Sequence, residues 1–214
     1  MKNLILTIAF IIASFTTKAT DNGRFMQTMG TTLAELGQAK DASALQEVAN
    51  KFERIANTET AEWLPNYYAA LSYTLIAMKQ QDGTNIDKYL DKADVFIEKM
   101  GKQNVNTPDE VEVLKAQVYM MRISVDGQAR WMKFGSAFEG AVAKAKDINP
   151  ENPRAYALKA QMVFYTPAQF GGGAEKACPE IQTAIQKFAN FKPTSPIAPT
   201  WGAEQINGLA KACK

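Results

Sequence analysis

Apolar residues along the chain recur at spacings of three and four residues, which is the pattern of amphipathic helices. One such stripe runs from Leu45 to Ala56, and another runs from Tyr89 to Met100. Strand-like alternation of apolar and polar residues is hard to find. The pattern therefore predicts an all-α chain.

Turn and cap signals divide this pattern into consecutive helices. Asp41 is a candidate N-cap, and the segment 107–110 places a Thr cap, a proline and two acids at a helix start. The clearest predicted helices lie over residues 41–57, 63–79, 86–100, 107–124, 129–148, 152–165, 174–191 and 200–212, and the count is about nine. Since the turns between them are short, we expect consecutive antiparallel hairpins.

The first nineteen residues have the features of a secretory signal peptide. Lys2 precedes an apolar run from Leu4 to Ala13, and Thr17-Lys18-Ala19 supplies a cleavage site with small residues. The run is shorter than the roughly 20 residues that span a bilayer, and a buried first helix is the less favoured alternative. We therefore expect export, with the periplasm favoured over the extracellular medium. We also expect a single helical domain over 20–214, with no membrane insertion after cleavage.

Removal of the signal peptide changes the charge of the chain. The full sequence has 24 basic and 22 acidic residues, and residues 1–19 contribute Lys2 and Lys18 but no acid. The mature chain then has 22 of each and a formal net charge of zero. Such a chain lacks the basic surface that nucleic-acid binding requires, so we expect no nucleic-acid partner.

The sequence contains two cysteines, Cys178 and Cys213. In an oxidising compartment, two cysteines most simply form one disulfide. The alternative is a pair of free thiols, each buried as a small hydrophobic side chain. The disulfide is favoured, and it would attach the predicted C-terminal helix over 200–214 to an earlier helix.

Small residues that precede a bulky residue by three positions recur along the predicted helices. The small residues are 46 and then 44 positions apart, and the pairs are Ala70 with Tyr73, Ala116 with Tyr119, and Ala160 with Val163. The stretch DINPENPRAYALKA, residues 147–160, passes directly from one hairpin into the next. In this pattern and this junction the chain resembles the tetratricopeptide repeat, a helix–turn–helix unit that stacks into a solenoid.

The resemblance covers residues 60–192 most clearly. The chain as a whole is also similar to short exported bacterial tetratricopeptide-like proteins. These proteins share the NPR-aromatic junction and the TP-x2-FGGG turn, which lies here at 166–173. The units are about 45 residues long, whereas the repeat has about 34. None of them carries the full Trp-Leu-Gly-Tyr set of the repeat. The resemblance implies stacked antiparallel hairpins and an exported protein, and it implies little about mechanism.

In a tetratricopeptide stack the first helix of each unit lines a concave groove. The resemblance places six candidate partner-binding residues there, namely Tyr67, Gln117, Met121, Arg154, Gln161 and Tyr165. Such a set suits an extended peptide or a helix, because the polar side chains can bond its backbone while Met and Tyr adapt to its side chains. On this hypothesis Arg154 and Gln161 are exposed beside Gln117. The alternative is that these residues pack on a neighbouring hairpin or on the C-terminal helix.

The sequence offers little for catalysis or metal binding. It has no histidine, which excludes Ser-His-Asp and Cys-His catalysis and histidine-liganded zinc. The glycines of Gly171–Gly173 follow no strand and precede no Gly-Lys-Ser or Gly-Lys-Thr, so they indicate a turn between two helices. We therefore expect no catalytic residue, no metal site and no cofactor.

Two functions remain after these exclusions. The first is a non-catalytic exported module that binds a protein or peptide, or acts as a scaffold, through the concave groove. The alternative is a periplasmic carrier or sensor that encloses a small apolar ligand in its helical interior. An enzyme that uses carboxylates alone is the least favoured reading.

Overall fold

The computed structural model describes residues 22–213, and the predicted signal peptide over 1–19 lies outside the described residues. Within the described part, the chain forms nine α-helices, two short 3-10 helices and no strand. The prediction of an all-α fold with about nine helices is confirmed.

The helices follow one another with short connections. Their bounds are 22–38 for α1, Ala42–Thr58 for α2, Leu64–Ala77 for α3, Gly83–Met100 for α4, Pro108–Val125 for α5, Gly127–Ile148 for α6, Pro153–Tyr165 for α7, Ala174–Asn190 for α8 and Ala203–Leu209 for α9. Short 3-10 helices cover Ala168–Phe170 and Ala210–Ala212.

Side-chain caps fix where several helices begin. Asp41 accepts a hydrogen bond from the backbone N–H of Ala44, and Asp82 accepts one from the N–H of Asn85. Because Asp82 is the cap, α4 begins three residues earlier than the apolar pattern alone indicates. The last helix is shorter than predicted, since Gly202 adopts a positive φ of 108° before it.

Consecutive helices pack as antiparallel hairpins around three adjoining apolar clusters. The first cluster joins α1 to α5 around Phe52 and Tyr68, whose rings stack at 5.3 Å. The second surrounds Phe138 between α5, α6 and α7, and the third surrounds Ile181 between α7, α8 and α9. The repeated small residues Ala70, Ala116 and Ala160 are all fully buried, so neighbouring helices approach closely at these positions.

After α8 the chain returns across the starts of the earlier helices. We call residues 191–202 the strap. Tyr68 in α3 donates a hydrogen bond to the carbonyl of Ile197 at 2.8 Å, and Trp201 donates one to the hydroxyl of Tyr67 at 2.8 Å. The strap therefore joins the C-terminal end of the chain to α3 in the first half of the fold. The helix α9 itself packs against α7 and α8.

A disulfide closes the C-terminal end. Cys178 in α8 is bonded to Cys213, with a Cα–Cα distance of 5.6 Å. The disulfide favoured by the sequence is thus present, and it holds the residues that follow α9 against α8. Both ends of the strap lie inside the covalent loop that the disulfide closes.

Breaking this disulfide is expected to lower the free energy of unfolding by about 3–4 kcal/mol, because the two cysteines are 35 residues apart and the unfolded chain regains the entropy of that loop. The measurement is urea denaturation of the Cys178→Ser/Cys213→Ser variant beside the oxidised protein. A reducing agent should destabilise the wild type by the same amount and leave the variant unchanged. Equal stability of the two oxidised proteins would contradict the prediction.

Arginines of α5 and α6 form ion pairs with the acidic side chains of α4. Arg122 in α5 donates to Asp91 and Asp94 at 2.7 Å each. Arg130 in α6 donates to both carboxylate oxygens of Asp87, at 2.7 and 2.8 Å. The hydrogen bonds from Arg130 lower the pKa of Asp87 below its ordinary value. This cluster joins α4 to the α5–α6 hairpin near the C-terminal end of α5, away from the strap.

Asp87 is expected to contribute stability that is present above the ordinary aspartate pKa near 3.8 and is lost as the pH falls through its lowered value. Asp87→Asn should therefore lower the melting temperature at pH 7, and the difference from wild type should begin to shrink below pH 3.8 and vanish as the pH falls through the lowered pKa of Asp87. Asp91→Asn is the control, since the Asp91 side chain is 71% exposed and its pair should contribute less. A difference between Asp87→Asn and wild type that is independent of pH would count against this assignment.

Candidate functional site

A pocket lies where several helices begin. Its walls come from the start of α1, the starts of α3, α5 and α7, and the strap, and its volume is about 280 Å³. Apolar walls are provided by residues such as Phe25, Trp63 and Ile197, and polar walls by Asp109 and Arg154 among others. The pocket therefore borders residues that the sequence places far apart.

A buried ion pair forms the polar wall of this pocket. The side chain of Arg154 in α7 is fully buried, and that of Glu110 in α5 is 6% exposed. Arg154 donates from Nε to Oε2 of Glu110 at 3.0 Å and from Nη2 to Oε1 at 2.5 Å. Asn152, the N-cap of α7, donates from Nδ2 to the same Oε1 at 2.8 Å. These contacts compensate both charges and join α5 to α7.

Hydrogen bonds extend the ion pair in two directions. On one side, the hydroxyl of Tyr67 in α3 donates to Oε2 of Glu110 at 3.2 Å and accepts from Trp201 of the strap. On the other side, Asp109 accepts hydrogen bonds from Asn149 at 2.9 Å and from Asn152 at 2.8 Å. The network therefore connects three successive hairpins and the strap.

Burial changes the acid–base properties of the network. Desolvation raises the pKa of the Glu110 carboxyl, and the Arg154 guanidinium opposes this effect. Desolvation also raises the pKa of the Tyr67 hydroxyl well above its ordinary value, and the nearby Glu110 charge adds to this. Tyr67 therefore stays protonated at neutral pH and remains a hydrogen-bond donor to Glu110.

One nitrogen of Arg154 is left without a hydrogen bond. Its Nη1 is buried and has no partner in the part of the chain that the structure describes. The guanidinium carbon lies 4.6 Å from the ring centroid of Phe191 and 6.0 Å from that of Trp201, both in the strap. A buried donor without a partner costs about 1–3 kcal/mol, so this position favours an acceptor.

The groove residues expected from the sequence fall into different environments. Tyr67 and Arg154 are fully buried in the network, and Gln117 is 7% exposed. Met121 and Gln161 are half-buried. The expectation that Arg154 is exposed is wrong, because Glu110 and the strap cover it. Its replacement by alanine would remove a buried ion pair, so such a variant is unsuitable for testing partner capture.

The sixth residue of the set, Tyr165, is 70% exposed. Whether any of the six binds a partner stays a prediction, since no observation on the chain tests it. The two cysteines that were predicted to pair, Cys178 and Cys213, do so.

The side of the stack that α3, α5 and α7 share is more exposed toward the C-terminal ends of these helices. Tyr67, Glu110 and Arg154 contact one another, so the helix faces that carry them point toward a common axis. Two to three turns further along these helices lie Leu75, Met78, Gln117, Met121, Gln161 and Tyr165. Gln117 is buried, and the other five are half-buried or exposed. We call this set the distal face.

Sequence reasoning did not identify Glu110 as part of the site, because an acid in a first helical turn is ordinarily explained by the helix dipole. A signal for it exists in the repeat register. Glu110 and Arg154 each precede a repeated small residue, Ala116 and Ala160, by six positions. Equivalent positions of successive units thus carry opposite charges, which predicts their pairing.

Glu110→Gln is expected to lower the free energy of unfolding by about 3–5 kcal/mol, because it leaves the buried Arg154 charge without its partner. Glu139→Gln is the matched control: its carboxylate pairs with Lys159 but is 41% exposed, so the loss should be at most about 1 kcal/mol. Chemical denaturation of both variants measures the difference. Similar losses of unfolding free energy in the two variants would show that the buried pair contributes no more to stability than the exposed one.

Two further properties bear on what this protein can do. Among the described residues, no group of three or more His, Cys, Asp and Glu side chains is arranged to hold a metal ion. No helix within 22–213 is long and apolar enough to cross a membrane.

Comparison with known proteins gives one strong similarity. No model of a protein family matches the sequence, and neither does any curated protein. The structure is similar to the solved structure of the HusA haemophore from Porphyromonas gingivalis, with a TM-score of 0.79 and 30% sequence identity. The match covers 89% of this chain and 92% of that one. At this identity and coverage, the chain belongs to the same protein family as the HusA haemophore.

Proposed function

We propose that the protein is an exported, non-catalytic carrier that binds haem or a closely related tetrapyrrole. The observation that carries this proposal is the similarity to a haemophore, at 30% identity and over 89% of the chain. It favours the carrier that the sequence analysis gave as an alternative over the protein-binding or scaffolding module that it placed first. Export rests on the signal-peptide pattern of residues 1–19.

The distal face is the surface that we propose for the cargo. It exposes flat and flexible apolar side chains, with Met78 47% and Tyr165 70% exposed. The half-buried Met121 and Leu75 lie on the same helix faces. Methionine adapts its shape and has a polarisable sulfur, and tyrosine offers a ring for stacking. Such a surface suits one side of a planar apolar macrocycle.

The near end of the concave side is closed to a ligand of this size. Trp201 of the strap is bonded to Tyr67 there, and the adjoining pocket of about 280 Å³ is at the lower limit for a ligand site. At the distal face, by contrast, the side chains of Met78 and Tyr165 are 47% and 70% exposed. We therefore place the macrocycle between the C-terminal halves of α3, α5 and α7.

The chain has few kinds of side chain that could ligate haem iron. It contains no histidine, and Cys178 and Cys213 are consumed in the disulfide. Methionine and tyrosine remain as ligands of the kinds found in other haem proteins. We propose that contacts with the macrocycle provide most of the binding free energy and that iron contributes little.

On this proposal, haem and metal-free protoporphyrin IX bind with dissociation constants within tenfold of each other. The measurement is tryptophan-fluorescence and absorbance titration of the mature protein with each compound. Much tighter binding of haem than of protoporphyrin would indicate an iron ligand and contradict the macrocycle model. Binding of neither compound would overturn the proposed function.

A double variant tests the location. Met78→Ser/Tyr165→Ser removes two exposed side chains of the distal face and should weaken binding of both compounds at least tenfold, which is about 1.4 kcal/mol. Val95→Ser/Ile148→Ser is the matched control, since these side chains are 51% and 41% exposed but lie on α4 and α6. Equal weakening by the two double variants would exclude the distal face as the specific site.

A further inference from the structure

We infer that the pocket at the starts of α1, α3, α5 and α7 is a second binding site, which takes a small organic molecule with one carboxylate group. It is separate from the distal face. Arg154 precedes Gln161 by seven residues, which is about 10 Å along α7, and none of the distal-face residues lines the pocket. The inference therefore does not depend on whether the protein carries haem.

The unpartnered nitrogen of Arg154 is the first support for this site. The residue forms part of the pocket wall and is 0% exposed. Its Nε and Nη2 both donate to Glu110, whereas Nη1 has no hydrogen bond within residues 22–213. The N–H groups on Nη1 are held in place by the other half of the guanidinium. An oxygen acceptor bound in the pocket would give Nη1 a hydrogen-bond partner, so that every nitrogen of the guanidinium had one.

The balance of buried charge determines which acceptor fits. Both oxygens of Glu110 are occupied by Arg154, Asn152 and Tyr67. Two further carboxylates line the pocket: Asp109 lies in the first turn of α5 and accepts from two asparagines, and Glu62 is exposed just before α3. Against these three carboxylates stand one guanidinium and the positive ends, each about half a charge, of the four helices that begin at the pocket. Because the negative and positive charges around the pocket nearly balance, the pocket suits a singly charged carboxylate and disfavours a dianion such as phosphate.

The rest of the pocket indicates the body of the ligand. Phe25 and Met26 of α1, Trp63 and Leu64 at the start of α3, and Phe191 of the strap provide an apolar wall. A volume of about 280 Å³ corresponds to roughly nine water molecules at 30 Å³ each. The ligand is therefore an aromatic or aliphatic carboxylate with on the order of ten non-hydrogen atoms.

Entry to this site requires a small movement of the strap. Phe191 lies against the guanidinium at 4.6 Å, and Nη1 has no contact with solvent. The strap also offers the hydroxyls of Thr194 and Ser195 at the pocket wall. On this inference, a ligand carboxylate that reaches Nη1 moves the Phe191 ring aside, and the two hydroxyls are further donors in the same pocket wall.

The test compares three probes of nearly equal size, namely benzoate, benzamide and benzylamine, which carry a negative, a zero and a positive charge. Each is titrated into the wild-type mature protein, and the Nε–Hε resonance of Arg154 is followed by NMR. Benzoate should shift this resonance saturably and bind at least tenfold more tightly than benzamide. Equal binding of benzoate and benzamide, or preference for benzylamine, would overturn the inference. The inference would also be overturned if none of the three probes shifted the Arg154 resonance.

A pair of strap variants locates the effect without disturbing Arg154. Thr194→Phe places a ring at the pocket wall and should abolish benzoate binding. Lys192→Phe is the matched control, since both residues are exposed but only Thr194 lines the pocket. Both variants should keep the wild-type melting temperature. Benzoate binding that survives Thr194→Phe, or that is lost equally in Lys192→Phe, would place the carboxylate elsewhere and overturn the assignment.

Discussion

The ion pair between Glu110 and Arg154 is the constraint on which the rest of the structure depends. A buried charge is tolerated only when its partners are fixed, and here the partners come from α3, α5, the turn before α7 and, through Tyr67, the strap. The hairpins therefore have to stack in one register for the pair to form. Apolar clusters alone specify register less strictly, because they tolerate small sliding movements.

The side of the stack that α3, α5 and α7 share has two parts with different properties, of which the strap covers one. Near the helix starts, the hydrogen bonds from Tyr68 to the Ile197 carbonyl and from Trp201 to Tyr67 close the surface over polar, hydrogen-bonded groups. Toward the helix ends, Met78 and Tyr165 remain exposed. One face of the protein thus combines a small polar pocket with a broad apolar surface, and each suits a different class of ligand.

The sequence predicted the helices, their order and the disulfide, because local periodicity, cap residues and the count of cysteines determine them. It did not predict the burial of Arg154. That outcome depends on where residues 191–202 return, and no local pattern specifies a contact between Trp201 and Tyr67, which are separated by 134 residues. The preference for a carrier came from similarity to a haemophore, since an apolar helix face by itself does not distinguish a peptide from a macrocycle.

The disulfide has a consequence for the strap that concerns chain topology. Because Cys178 and Cys213 lie on either side of residues 191–202, the strap is part of a closed covalent ring. It can bow outward, but neither end can leave the body of the protein, so the opened form stays within reach of the closed one. A single proteolytic cut in the strap would leave both fragments joined, and only reduction would separate them. In an oxidising compartment, to which we propose that the protein is exported, the disulfide therefore protects the cover of the pocket as well as the stability of the fold.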